Sequence, residues 1–93
     1  MNERTEALRR PRLEVAFGGQ LRAWRQTRRV SQEALAARAG VSARHLSFVE
    51  NGRSQPSREL VLALAGALDV PLRERNALLT AAGFAAAFRA SSL

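Results

Sequence analysis

The only histidine of the chain, His45, is the first residue to test for catalytic or metal-binding chemistry, because imidazole can act as a base or bind a metal. The sequence has no cysteine, and no second histidine or cluster of carboxylates accompanies His45. A metal site needs several such ligands, and covalent catalysis needs a nucleophile beside its base. We therefore predict no enzyme activity, no metal and no cofactor, and interpret His45 as a phosphate contact or a plain surface residue.

The second chemically active group is the guanidinium of arginine. The fifteen basic residues outnumber the eight acidic ones, all of them are arginine, and the net charge is +7. Guanidinium forms paired hydrogen bonds with phosphate oxygens and with the guanine edge. The excess of positive charge favours a polyanion partner, with nucleic acid ahead of an anionic membrane. The charge is more informative than the choice of arginine, which a G+C-rich coding sequence would also produce.

Length and hydropathy limit where such a chain can act. Ninety-three residues make one small domain. The longest nearly apolar stretch, residues 60–68, is too short to span a bilayer. No secretion signal is visible, and the absence of cysteine fits a reducing compartment. We expect a soluble cytoplasmic protein associated with the nucleoid.

Two short helices and the turn between them are predicted for residues 31–50. Ser31 precedes QEALAARA and Ser42 precedes ARHLSFVE. Serine is typical of the residue that caps a helix N-terminus, and apolar residues recur at helical spacing in both segments. Gly40 separates them and suits the left-handed conformation that ends a helix. This arrangement is a helix-turn-helix, whose second helix would enter a DNA groove.

A first helix is predicted over residues 13–29, although Gly18 and Gly19 would weaken its interior. Arg25 lies on the inner face of this helix and needs an acidic partner. Glu50, at the end of the second helix of the motif, is the candidate.

Two further helices follow the motif. Ser57 is predicted to cap the fourth, Pro71 suits the first turn of the fifth, and Gly83 ends it. The predicted apolar positions are Leu60, Leu64 and Leu68, flanked by Val61 and Ala65, in the fourth helix, and Leu72, Leu78 and Leu79 in the fifth. We thus expect an all-α fold of five short helices, with the helix-turn-helix at helices 2 and 3.

The two ends of the chain differ in composition from residues 13–83, the predicted domain. Residues 1–12 are basic and are expected to form either an arm that touches DNA or a solvated tail. Residues 84–93 are apolar at Phe84 and Phe88. These side chains could pack on the first helix, on a second subunit or on a further domain.

From about Phe17 to Gly83 the chain closely resembles the lambda-repressor-like DNA-binding domain of the bacterial Cro/CI and xenobiotic-response-element regulators. The resemblance rests on SQEALAARAGVS, HLSFVENGR and PSRELVLALAGALDVP, in the family's order. It implies a sequence-specific transcription regulator that binds double-stranded DNA as a homodimer. An alternative of another class is a protein-interaction module, antitoxin-like or coactivator-like, with only non-specific DNA binding; Phe84 and Phe88 motivate it.

The resemblance also implies roles for individual residues. Arg25 and Glu50 correspond to a partly buried structural ion pair of the family. The positions matching backbone contacts hold Gln32, Ser42, Asn51 and Arg53. Gln32 lies at a helix N-terminus, where free amide groups and the helix dipole favour a phosphate.

The family reads bases with the outward face of helix 3, which here holds Ala43, Arg44, Ser47 and Phe48. Ala43 cannot hydrogen-bond through its side chain, so the adenine reading known in phage members does not transfer. Arg44 can donate to guanine O6 and N7 or contact a phosphate, and Ser47 can reach a base or a phosphate. Phe48 can touch a thymine methyl, act as a wedge or pack at the helix edge.

The stretch VPLRERNALLTAAGFAAAF is similar to regulators in which a PAS-like ligand-binding domain follows the five helices. Ala86 and Phe88 replace the proline and tyrosine usual at that junction. A small-molecule effector is therefore expected only if the full-length protein has a further domain.

Overall fold

The computed structural model describes residues 16–87, and this part of the chain contains five α-helices and no strand. The helices are α1 (Ala16–Thr27), α2 (Gln32–Ala39), α3 (Ala43–Glu50), α4 (Arg58–Ala67) and α5 (Leu72–Ala81). The predicted all-α class is confirmed, with α2 and α3 in the positions expected for the helix-turn-helix. The predicted basic arm (1–12), the first three residues of the predicted first helix (13–15) and Phe88 lie outside the described residues.

Serine hydroxyls cap the N-termini of three helices. The Oγ atoms of Ser31, Ser42 and Ser57 each accept a hydrogen bond of 3.0 Å from the backbone N–H three residues later. Each bond satisfies an amide that has no partner within its helix. Gly40 ends α2 with φ 78°, in the left-handed region that glycine adopts without steric cost. These local devices fix the turn between α2 and α3.

One core unites the five helices. Its buried residues are Phe17 and Leu21 of α1, Leu35 and Ala36 of α2, Leu46 and Val49 of α3, Val61, Leu64 and Ala65 of α4, Leu78 and Leu79 of α5, and Leu68, Val70 and Ala82 between or after helices. Burying one leucine completely contributes about 1.5–3 kcal/mol relative to leaving it exposed. The inner face of α3 is therefore held firmly against the other helices.

Two predicted core positions were wrong in detail. Leu60 is only partly buried, because the inward face of α4 is centred on its neighbours Val61 and Ala65. Leu72 is 55% exposed. It is the first residue of α5, about 10 Å along the helix axis from the buried Leu79, and so lies beyond the edge of the core.

Gly18 lies where α1 meets the carboxyl end of α3. A Cβ atom at this position would overlap the carbonyl oxygen of Glu50 and lie 2.7 Å from its carbonyl carbon. Glycine therefore allows two backbones to come closer than any other residue would. The residue that weakens α1 locally is the one that lets α1 support α3.

The chain that follows α5 turns back onto the domain. Phe84 is half-buried and packs against the core, and its N–H donates to the carbonyl of Leu79 at 2.8 Å. Phe84 therefore contacts its own domain, as one of the three expected arrangements required, although the contact shown is with the core cluster as a whole. Within residues 16–87, no helix has the length and apolar character needed to cross a bilayer.

Candidate nucleic-acid interface

A buried carboxylate lies behind the helix-turn-helix. Glu50, the last residue of α3, is 1% exposed. Arg25 donates to it twice, from Nε to Oε2 at 2.7 Å and from Nη2 to Oε1 at 3.1 Å. Gln32 Nε2 donates to Oε1 at 2.9 Å, and Arg22 Nε lies 3.4 Å from the same oxygen. The structure therefore brings together the expected pair, Arg25 and Glu50, and adds two further donors.

The balance of forces on Glu50 favours its ionised form. Desolvation by burial raises the pKa of the Glu50 carboxyl, because a charge is costly away from water. The hydrogen bonds from Arg25, Gln32 and Arg22 and the charge of Arg25 act in the opposite direction and outweigh it, so the pKa lies below its ordinary value. Glu50 is therefore an ionised acceptor at neutral pH.

This network extends to the surface through Arg22, whose side chain is 43% exposed. While its Nε points to Glu50, its Nη2 donates to Asn51 Oδ1 at 2.9 Å. Gln32 of α2 and Asn51 after α3 were both expected to contact phosphates. The hydrogen-bond network of Glu50 and Arg22 orients both side chains. Arg22 escaped the sequence analysis, although its spacing of three residues from Arg25 places both on one face of α1.

The four expected base-reading residues do not occupy equivalent environments. Arg44 is exposed, and Ser47 and Phe48 are half-buried without belonging to the core cluster. Their spacing of three and four residues places them on one face of α3, opposite the face in the core. Ala43, by contrast, packs against the core cluster. The outward face of α3 therefore consists mainly of Arg44, Ser47 and Phe48.

An aromatic ring on this face contacts two arginines. The guanidinium carbon of Arg44 lies over the Phe48 ring, 5.5 Å from its centroid, and that of Arg53 lies 6.0 Å from it. These distances are within the range of cation–π attraction. Arg53 follows Gly52, whose φ of 79° turns the chain back after α3. The turn thus places a second exposed cation beside the helix.

Two other expected contacts are at the start of α3. Ser42 is exposed, and its Oγ accepts from the backbone N–H of His45. His45 itself is half-buried. Among residues 16–87, no group of three or more His, Cys, Asp and Glu side chains is placed to hold a metal ion. The chemistry assembled around α3 is therefore hydrogen-bond donation and positive charge.

Known proteins resemble this chain over its helix-turn-helix region. The family described as "Helix-turn-helix domain" matches residues 16–78. The chain is similar to the HTH-type transcriptional repressor RghR of Bacillus subtilis (strain 168), with 44% identity over 57 residues that cover 60% of this chain. The matched segment spans 42% of that relative's length. No solved structure matches the chain significantly.

Proposed function

The chain belongs to the helix-turn-helix domain family, and from that premise we propose that it is a sequence-specific, DNA-binding transcription regulator that reads the major groove with α3. The observation that carries this proposal is the division of α3 into two faces. The inner face is anchored by the core and by Glu50. The outer face presents a cation, a hydroxyl and an aromatic ring, which match the donors and apolar contacts that distinguish base pairs.

The reading step is proposed to involve Arg44, Ser47 and Phe48. The major groove accepts an α-helix, so the outward side chains of α3 would reach the base edges. Arg44 would donate two hydrogen bonds to guanine O6 and N7, and Ser47 would bond to a base or a phosphate. Phe48 would approach a thymine methyl. Ala43, which packs on the core, contributes at most an apolar contact.

The holding step is proposed to involve Gln32, Ser42, Asn51 and Arg53, which surround α3. Gln32 and Asn51 are already oriented by hydrogen bonds, and their amide NH2 groups keep hydrogens for phosphate oxygens. The Ser42 hydroxyl accepts from the protein and can still donate to DNA. Arg53 adds a full charge. Such contacts fix the register of the protein on the duplex without reading sequence.

We also propose the assembly and setting of this function. Like lambda-repressor-like regulators of the Cro/CI group, the protein would bind a two-fold-related operator as a homodimer in the cytoplasm, at the nucleoid. Half-sites would then lie about one helical turn of DNA apart. A small-molecule effector would act only through a further domain, such as the PAS-like one suggested by residues 70–88.

The alternative, a protein-interaction module, was motivated by two phenylalanines. Phe84 packs on the core of its own domain, which weakens its support for a partner surface. Phe88 lies outside the described residues. Salt-sensitive binding to all duplexes alike would nevertheless favour the alternative over the proposal.

Selection of binding sites from random DNA tests the proposal with Arg44→Ala and Arg53→Ala. We expect Arg44→Ala to lose about 1–3 kcal/mol of discrimination at one position of each half-site, because a paired contact to guanine is removed. Arg53→Ala should weaken binding to all sequences alike, because it removes a phosphate contact. Identical sequence preferences in the two variants would contradict these roles, and sizing the bound species would test the homodimer.

A further inference from the structure

The aromatic ring of Phe48 is shared by two arginines that come from different elements. Arg44 precedes Phe48 by one turn of α3, whereas Arg53 lies in the turn after the helix. Both guanidinium carbons lie over the ring, at 5.5 and 6.0 Å from its centroid. The phenylalanine is half-buried and outside the core cluster.

Contact with the ring would reduce the conformational freedom of two exposed side chains. An exposed arginine samples many rotamers and loses that freedom when it binds. Attraction to an aromatic face favours the rotamers that keep the guanidinium over the ring. Because this restriction exists before DNA arrives, less conformational entropy is lost on binding. The free protein thus already holds both cations close to one point.

The dimensions of the group fit the proposed complex. The two guanidinium carbons cannot be farther apart than the sum of their distances to the ring centroid. This limit is smaller than the width of the major groove, about 12 Å. Both cations can therefore lie within one major groove.

We infer that Phe48 is a positioning residue for two contacts of different kinds, base reading by Arg44 and phosphate binding by Arg53. The inference rests on the proposed function and adds a role to the thymine contact considered for Phe48. A ring that approached only a thymine methyl would act independently of both arginines. A ring that positions them makes the contribution of each arginine to binding depend on the ring.

The test compares Phe48→Leu with the matched control Phe48→Tyr on the duplex selected by the wild-type protein and on a scrambled duplex. Leucine keeps an apolar group for a methyl contact but has no aromatic face, whereas tyrosine keeps the ring. We expect Phe48→Leu to weaken binding to the selected duplex by about two- to five-fold for each arginine affected. It should also weaken binding to the scrambled duplex, through Arg53, and on both duplexes Phe48→Tyr should weaken binding less than Phe48→Leu does.

Two double-mutant cycles pair Phe48→Leu with Arg44→Ala and with Arg53→Ala. Each double variant should weaken binding by at least about two-fold less than the product of its two separate effects, because an arginine that has been removed cannot lose its positioning. Thermal unfolding would verify that each variant is folded.

The outcomes separate the inference from the proposed function. If the wild-type protein prefers no sequence, the proposed function fails and the inference fails with it. If the wild-type protein is selective but the effect of Phe48→Leu multiplies with that of each arginine substitution, only the positioning role of Phe48 is overturned. Loss confined to duplexes with thymine beside the guanine would likewise overturn it and leave Phe48 as a reader of the methyl group.

Discussion

Glu50 shows how much of the proposed interface depends on a group that DNA need not touch. Its carboxylate accepts from Arg22 and Arg25 of α1 and from Gln32 of α2, and Arg22 continues the connection to Asn51. The residue therefore joins three helices and orients two proposed phosphate contacts. Its role is structural and positional at the same time.

Replacing Glu50 by glutamine should destabilise the protein substantially. The variant keeps the shape of the side chain but leaves Arg25, which is only 14% exposed, without its counter-charge. Breaking a buried pair costs about 3–5 kcal/mol, and we expect the lower end of that range because Arg25 keeps some contact with water. Chemical denaturation would measure the loss. The control Glu59→Gln changes an exposed acid and should stay within about 0.5 kcal/mol of wild type.

The same variant gives the sign of the pH dependence. Because the folded protein lowers the pKa of Glu50, the stabilisation is fully present above the ordinary glutamate pKa and is lost as pH falls through the folded value. The difference in unfolding free energy between wild type and Glu50→Gln should therefore be constant near neutrality and narrow in acid. A difference that grew as pH fell would contradict the direction of this shift.

At the scale of single residues, the sequence predicted the ion pair of Arg25 and Glu50 but not the further hydrogen bonds to Glu50. Arg25 and Glu50 could be matched because a family pattern connects them. Gln32 was expected to face a phosphate, and its bond to Glu50 depends on how α2 lies beside α3, which no local spacing encodes. Arg22 could have been found from its position on α1, but only once the location of Glu50 was known.

The ends of the helices were more predictable than the contacts between helices, because the signals that begin and end a helix are local. Ser31, Ser42 and Ser57 cap helices as their positions indicated, and Gly40 has the expected positive φ. The exposure of Leu72 was missed because helical periodicity gives the direction of a side chain but not the place where the core ends.

Gly18 is a second position at which local sequence signals fail, because a contact between helices decides which residue is favoured. In an isolated helix, glycine is less favourable than alanine by about 1 kcal/mol. In this structure an added methyl group would overlap the backbone of Glu50. Tertiary contact therefore reverses the local preference.

Two substitutions of helical glycines by alanine should thus have opposite effects. Gly18→Ala should destabilise the protein by about 1–3 kcal/mol, because α1 and α3 must move apart to relieve the overlap. Gly66→Ala in α4 should stabilise it by about 0.5–1 kcal/mol, because the new Cβ would meet only Arg75 Nη1 at 4.0 Å, an ordinary contact. Thermal unfolding of the two variants measures both effects. A stabilising Gly18→Ala would show that the close approach of α1 and α3 does not exist in solution.

The molecule as a whole carries an excess of positive charge, yet the proposed function assigns DNA binding to particular cations. Arg53 lies beside α3, whereas Arg73 is exposed on α5, which bears none of the proposed contacts. If net charge alone determined DNA affinity, Arg53 and Arg73 would contribute equally. If the interface is localised at α3, Arg53 would contribute more.

The salt dependence of DNA affinity distinguishes these cases. Each phosphate neutralised contributes about 0.9 to the slope of log affinity against log salt concentration. Arg53→Ala should therefore reduce the magnitude of the slope by about 1, and Arg73→Ala should leave it unchanged. Equal reductions in the two variants would indicate attraction by overall charge rather than by an organised face.

The two faces of α3 also bear on how such a protein could acquire new targets. Leu46, Val49 and Glu50 attach the helix to the scaffold, whereas Arg44 on the opposite face is exposed. Substitutions at exposed positions usually change stability by less than about 0.5 kcal/mol. Exposed residues on this face can accordingly be substituted, by evolution or by design, with little loss of folding stability. A single scaffold could in this way be passed among descendants that recognise different operators.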